Sequence, residues 1–174
     1  LTLKGLRRLL DEFVNLSDPV RAAANRRLLE ELIPEKVPVD TLLTVLRLLL
    51  EERVSVRNLP LVLEAISELR GAPLAPEAIC EHVRRRLGFQ LVSELKRVDG
   101  TIPLLQLAPE WEQSFRRYQM DADRGLQDVA LPPEDFNRLA NAMGVQVARC
   151  AEQGITPALV TSSLRRRFLR SVAG

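Results

Sequence analysis

Few residues in this sequence have the chemistry of a catalyst or a metal ligand. There is one histidine, His82, and there are two cysteines, Cys80 and Cys150. A histidine acting as a base or a ligand needs a Cys, Asp or Glu partner at ligand spacing. His82 has none and reads as an ordinary side chain on the polar side of a helix. Cys80 and Cys150 lie far apart in sequence, among apolar helical positions, and read as core thiols of a protein in a reducing compartment. No nucleophile–base pair and no Gly-rich phosphate loop can be assembled from the rest. The expectation is therefore no enzyme activity, no cofactor and no metal. The triple arginines Arg84–Arg86 and Arg165–Arg167 could form local basic patches. The formal net charge is only +2, no stacking aromatics interleave with the basic residues, and no recognition-helix motif is present. Nucleic acid is not an expected partner.

What remains is charge at regular spacing. In EERVSVRNLPLVLEAISEL, Glu51 to Leu69, Asn58 is placed to cap a helix whose first turn holds Leu59 and Pro60, where a missing N–H costs little. Leu59, Val62, Leu63, Ile66 and Leu69 or Arg70 then form the inward face. Glu64 and Glu68 fall together on the outward side at i and i+4, and Gly71 closes the helix. The cap explains Asn58. Local physics does not explain Arg57, Glu64 and Glu68, which read most simply as a solvated face that stabilises little.

These residues must be carried by helices. The 174 residues are 46% hydrophobic and 28% charged, with few Gly and few aromatics, which favours helix. Leu3, Leu6, Leu10, Phe13 and Val14 mark one, with Thr2 as cap. Val20, Ala23, Ala24, Leu28 and Leu32 mark a second, capped by Asp18 with Pro19 in its first turn and ended at Pro34. A third, from about Pro38, carries Val39, Leu42, Leu43, Leu46, Leu49 and Leu50. Its Val45 and Leu48 fall off that stripe and demand a second apolar neighbour, which implies a compact bundle. A fifth begins near Pro76 and runs through Ile79, Cys80, Val83, Leu87 and Leu91, with Arg84 and Arg85 on or beside its polar face.

After Gly88 the grammar changes. A turn at Asp99–Gly100 leads to a strand over 102–107 and a helix from Pro109, followed by a loop rich in Asp. A helix striped by Phe136, Leu139, Ala140, Met143, Val147 and Cys150 then ends at Gly154. A second strand spans 156–160. Thr161 or Ser162 caps the last helix, whose inward face is Leu164, Phe168 and Val172. The order β-α-α-β-α predicts a small parallel sheet. Two strands alone are marginal, so a third is expected beyond the final residues. The expected fold is mainly α: an all-helical subdomain over 1–95, then a small α/β subdomain over 96–174, truncated before its last strand.

The segments LLEELIPEKVPVDTLLTVLRLLLEERVSVRNLPLVLEAISEL, HVRRRLGFQLV, LAPEWEQSF and ITPALVTSSLRRRFLR together resemble the C-terminal cytoplasmic region of the FlhA family of type III export-gate proteins. The resemblance covers nearly the whole chain and is most specific from Val37 to Glu64. It implies the last two of that region's four subdomains, and a place in the flagellar export gate on the cytoplasmic side of the bacterial inner membrane. The implied partners are further copies of the chain in a ring, usually of nine, other export-apparatus proteins including the ATPase complex, and export chaperones and substrates. Membrane attachment is implied only through an N-terminal half absent from this sequence. Flagellar members commonly have Asp where this chain has Asn58, and an Asn there is frequent in the injectisome branch, which is the alternative reading. In a ring, the outward strip of Arg57, Glu64 and Glu68 could pair across a subunit boundary and set register. Arg84 and Arg85 could touch a neighbour in the same way, or remain a solvated face.

Overall fold

Thr2 opens the first helix. Its hydroxyl accepts the Gly5 N–H at 3.1 Å, satisfying a donor that a helix start leaves orphaned. Asp18 does the same for the second, accepting from Val20 at 2.9 Å and Arg21 at 3.3 Å. The computed structural model describes residues 1–33, 35, 37–69, 74–122 and 126–174. Pro34, Arg70 and Gly71, read above as helix ends or face, lie outside the described residues. The fold is mainly α with a small α/β part, as the sequence implies, and the chain divides into two units, Leu1–Leu91 and Val92–Gly174.

The first unit holds α1 (Leu3–Val14), α2 (Pro19–Leu32), α3 (Val39–Glu51), α4 (Leu59–Ser67) and α5 (Pro76–Arg86). A further helix, α6 (Gly88–Leu95), begins in this unit. The fifth helix of the sequence reading is thus two, because the chain leaves helical geometry at Leu87 before Gly88 starts the next. Helix α3 is the centre. Leu42, Val45, Leu46 and Leu49 are all fully buried, and it packs against both α1 and α5, which supplies the second neighbour that Val45 requires. Helix α2 is less covered than its pattern suggests. Leu32 is buried, while Val20 is 77% exposed, so the first half of α2 leaves one side of the unit open.

The segment from α3 to α4 is set by a tight cap. Arg53 takes φ 58°, Val54 N–H donates to Leu49 C=O at 2.8 Å and Arg53 N–H to Leu50 C=O at 2.9 Å. This is the Schellman pattern, closed by the buried pair Leu49 and Val54. Gly154, at φ 68°, ends a later helix with the same two bonds. Arginine at such a position is uncommon, since its Cβ opposes left-handed geometry. The consequence here is positional: Val54 is pinned inward and Ser55 to Asn58 are led across to α4.

Asn58 occupies the N-cap position of α4, but its side chain makes no capping bond and its backbone, at φ −84° and ψ 57°, is not extended. This corrects the sequence reading. A capping side chain accepts from the second or third helical N–H, and Pro60, in the second position, has none to give. Asn58→Ala is therefore expected to change folding stability by less than about 0.5 kcal/mol, the range of an uncommitted surface position. Chemical denaturation of the purified chain checks it, and a loss above about 1 kcal/mol would restore the capping role.

The second unit contains β1 (Leu104–Gln106), α7 (Pro109–Arg117), β2 (Gln119–Ala122), β3 (Leu126–Val129), α8 (Pro133–Glu152), β4 (Ala158–Val160) and α9 (Ser163–Ala173). β1 and β4 pair in parallel, Leu104 opposite Ala158 through Gln106 opposite Val160. Both strands are shorter than expected, because Pro103 and Pro157 precede them and cannot donate to a ladder. Ala158 N–H donates to Pro103 C=O at 2.8 Å. The stretch read as an Asp-rich loop is instead bordered by an antiparallel hairpin, β2 with β3, extended by Ala130 N–H donating to Tyr118 C=O at 3.0 Å.

Phe115, Val129, Leu139, Phe168 and Leu169 form the core of this unit. Phe115 meets Phe168 edge-on at 5.4 Å and stacks with Trp111 at 6.2 Å. The inward face of α9 is Arg165, Phe168 and Leu169, with Val172 packed beside them; of the expected set Phe168 and Val172 face the core, and Leu164, 55% exposed, does not. Ser162 holds the cap position without a side-chain bond. Along α8 Leu139 is buried but Val147 is 49% exposed and Cys150 only half-buried. A 20-residue helix is about 30 Å long, and strands of three residues cover only about 10 Å of it.

The turn ahead of β1 is held by Asp99, whose carboxylate accepts from Thr101 Oγ1 at 2.7 Å and from Thr101 N–H at 2.9 Å. Gly100 supplies φ 82°. The Thr101 hydroxyl and then its N–H hold the Asp99 pKa below the ordinary aspartate value, aided by the positive charge of Arg97. A depressed folded pKa means this contribution is present above the unfolded pKa and is lost as pH falls through the folded one. In an NMR titration Asp99 should protonate below the ordinary aspartates, and Thr101→Ala, which removes the hydroxyl but keeps the backbone N–H, should move it part of the way back to them.

Candidate functional site

The charged strip read from the sequence separates into two places. Glu68, placed on the outward side of α4, turns to α5: its Oε1 lies 3.0 Å from Arg86 Nη2, and its Oε2 lies 3.2 Å from His82 Nε2. His82 Nδ1 lies 3.4 Å from Arg85 Nη2. A guanidinium can only donate, so Nδ1 accepts and Nε2–H donates to Glu68. His82, read as plain surface, thus joins α4 to α5. Arg84 is also an internal contact, its Nη1 2.9 Å from Glu52 Oε2 with both side chains largely shielded. The last turn of α5 carries three arginines at its negative end: Arg84 and Arg86 are held by these carboxylates and Arg85 by His82. Arg165, in the other triple, is 3% exposed. Its Nη2 donates to Gln119 Oε1 at 2.8 Å and to Glu112 Oε1 at 3.3 Å, so it is neither a solvated face nor a free contact.

Arg57 and Glu64 behave differently. Both are exposed, neither has an ion-pair partner among the described residues, and both line one groove of about 600 Å³ on the helical unit. Its apolar wall includes Leu9, Phe13, Leu16, Leu46, Val56 and Pro60. The groove exists because the first half of α2 offers the small Ala24, which leaves the side of α1 incompletely covered. Asn25 fixes one end, donating from Nδ2 to Phe13 C=O at 2.7 Å. Arg21 lies on the rim beside it. Arg21 and Leu16 were missed by the sequence reading. The available signal was the pair Ala23 and Ala24 on a face assigned to the core, too small to fill it.

A second cleft of about 280 Å³ lies in the α/β unit, bounded by Leu105, Leu107, Trp111, Met143, Val147 and Leu159, with Gln106 and Gln146 as its polar lining. It holds no titratable side chain. Among the described residues no group of three His, Cys, Asp or Glu could hold a metal, and no helix is long and apolar enough to cross a membrane. The groove brings apolar surface together with Arg21, Arg57 and Glu64, none of which has an ion-pair partner among the described residues. Its chemistry is that of contact.

The model of the FHIPEP family matches residues 1–174. A "Flagellar biosynthesis protein FlhA" of Caulobacter vibrioides is 34% identical over 147 residues, 84% of this chain and 21% of its own length. The structure of the Shigella flexneri MxiA protein superposes with a TM-score of 0.78 at 25% identity, over 98% of this chain and 51% of that one. The nonameric EPEC SctV-C has the same fold, with a TM-score of 0.71 at 18% identity over 98% of this chain and 48% of that one. The chain thus spans about a fifth of the length of the curated relative and about half of the solved ones. With the family pattern running through every residue and both units superposing on solved members, the chain belongs to the FHIPEP family, the export-gate proteins of type III secretion.

Proposed function

We propose that this chain is the third and fourth subdomains of the cytoplasmic region of a flagellar export gate. It sits in a ring of its own copies on the cytoplasmic side of the bacterial inner membrane, where it helps receive export chaperones and substrates together with other export-apparatus proteins, the ATPase complex among them. The flagellar FlhA relative and the nonameric assembly of SctV-C support this reading. The observation that carries it is the pair Arg57 and Glu64, exposed and without ion-pair partners among the described residues, on the rim of an apolar groove. Charges in such a place cost little in the free chain and give register and orientation in an assembly. An injectisome gate is the second reading, favoured by the likeness to MxiA and by Asn58 in Val56-Arg57-Asn58-Leu59.

Reversing Arg57 to Glu, or Glu64 to Lys, should move the thermal stability of the purified chain by no more than about 0.5 kcal/mol. The same substitutions in the whole gate protein should impair swimming or secretion. Normal melting together with normal export would leave both charges as a solvated face and remove the contact reading.

A further inference from the structure

We propose that Asp99–Gly100 is the place where this chain converts aspartate to isoaspartate, and that Thr101 is the residue that holds the reaction back. An aspartate followed by glycine is open to attack on its own side chain, because no Cβ shields the next backbone nitrogen. The sequence has one such pair: none of its seven other aspartates and none of its five asparagines precedes a glycine. Fold and vulnerability share a cause. The turn needs a residue at φ 82°, which glycine adopts without strain, so the residue that closes the turn is also the one that leaves Asp99 unshielded.

In the reaction the Gly100 nitrogen bonds to the Asp99 carboxyl carbon, and its proton leaves with the carboxyl hydroxyl as water. Water then opens the five-membered imide at either carbonyl, returning aspartate or giving isoaspartate, whose main chain is longer by a methylene. The leaving oxygen must be protonated, and the nitrogen must face the carboxyl carbon. The turn opposes both. Gly100 N–H is directed to Arg97 C=O at 2.9 Å, and Arg97 N–H closes the loop on Thr101 C=O at 2.9 Å. The Asp99 carboxylate is held toward Thr101 by its Oγ1 at 2.7 Å and its N–H at 2.9 Å, bonds that also favour the ionised, unreactive form. All of these bonds are local, and every residue from Val92 to Thr101 is exposed, so opening the turn uncovers no core. The added methylene falls just ahead of Pro103, whose C=O receives Ala158 N–H at 2.8 Å, and would loosen the entry to β1.

The test follows the purified chain over days at neutral pH. Isoaspartate is counted by enzymatic methyl transfer from labelled S-adenosylmethionine and located by mass spectrometry in the tryptic peptide Val98–Arg116. It should appear first at Asp99, faster in urea than in the folded chain, and about fivefold faster in Thr101→Ala, the factor that loss of one ordinary hydrogen bond gives. Thr101→Val, which keeps the branched shape, should do the same, and Thr101→Ser, which keeps the hydroxyl, should stay near the unsubstituted rate. Trp111 fluorescence reports whether each variant remains folded. Isoaspartate appearing first elsewhere, equal rates in urea and in the folded chain, or an unchanged rate in both Thr101→Ala and Thr101→Val overturns the inference. Acceleration that comes with loss of the native Trp111 signal in both variants assigns the protection to the whole unit and overturns the part given to Thr101.

Discussion

Phe115→Ala is expected to cost the α/β unit about 3–5 kcal/mol, the range for emptying a fully packed aromatic site. Phe115 is 1% exposed and touches both Trp111 and Phe168, and among the described residues Val129, Leu139, Phe168 and Leu169 share its buried cluster. Small domains have about 5–15 kcal/mol in total, so the substitution removes a large share of this unit's stability. The helical unit has its own larger core and should be unaffected. The single tryptophan, Trp111, lies in the α/β cluster, so its fluorescence should report an early transition while most of the helical circular dichroism melts later. Fluorescence and dichroism lost together at one lowered midpoint would sink the idea of two separately stable cores.

The second large effect is expected at Arg84. With 18% and 13% of their side chains exposed, Arg84 and Glu52 have given up most of their water, and removing one takes from the other an opposite charge 2.9 Å away. Arg84→Met should destabilise the helical unit by about 3 kcal/mol, and Glu52→Leu by a similar amount. The double substitution should recover most of the loss, because two apolar side chains of similar volume carry no charge that needs a partner. Denaturant titration of the four proteins completes the cycle. Additive losses would mean that the two side chains act separately and that the 2.9 Å contact contributes no coupling.

What could be read from the sequence was what lies close together in it. Thr2 and Asp18 cap through neighbours two or three residues away, Gly154 ends its helix through local bonds, and the off-stripe Val45 on α3 announces its second neighbour. The groove was half legible: Arg57 and Glu64 stood out, but Leu16 and Arg21 did not, since the shortfall of volume along α2 appears only once α1 is laid beside it. The internal charges were not legible at all. Arg84 finds Glu52 and Arg165 finds Glu112 across long intervals of chain, and an arginine triplet reads alike whether its members are buried or solvated. The hairpin hid for a related reason: QMDADRGLQDV has polar residues throughout, and its pairing is held by backbone bonds that no side-chain pattern announces.

The parallel pairing of β1 with β4 has a consequence in time. Its partners lie more than fifty positions apart in sequence, so the ladder cannot begin to form until α7, the hairpin and α8 have all been made. Bringing distant segments together before any contact rewards them makes such folding slow, whereas the capped helices of the first unit close mostly through nearby residues. During synthesis the helical unit should already hold its shape while the ribosome is still extending the second. A nascent chain stalled just before Ala158 would then carry an exposed β1 with nothing to pair, at the stage when an aggregation-preventing chaperone matters most to this protein.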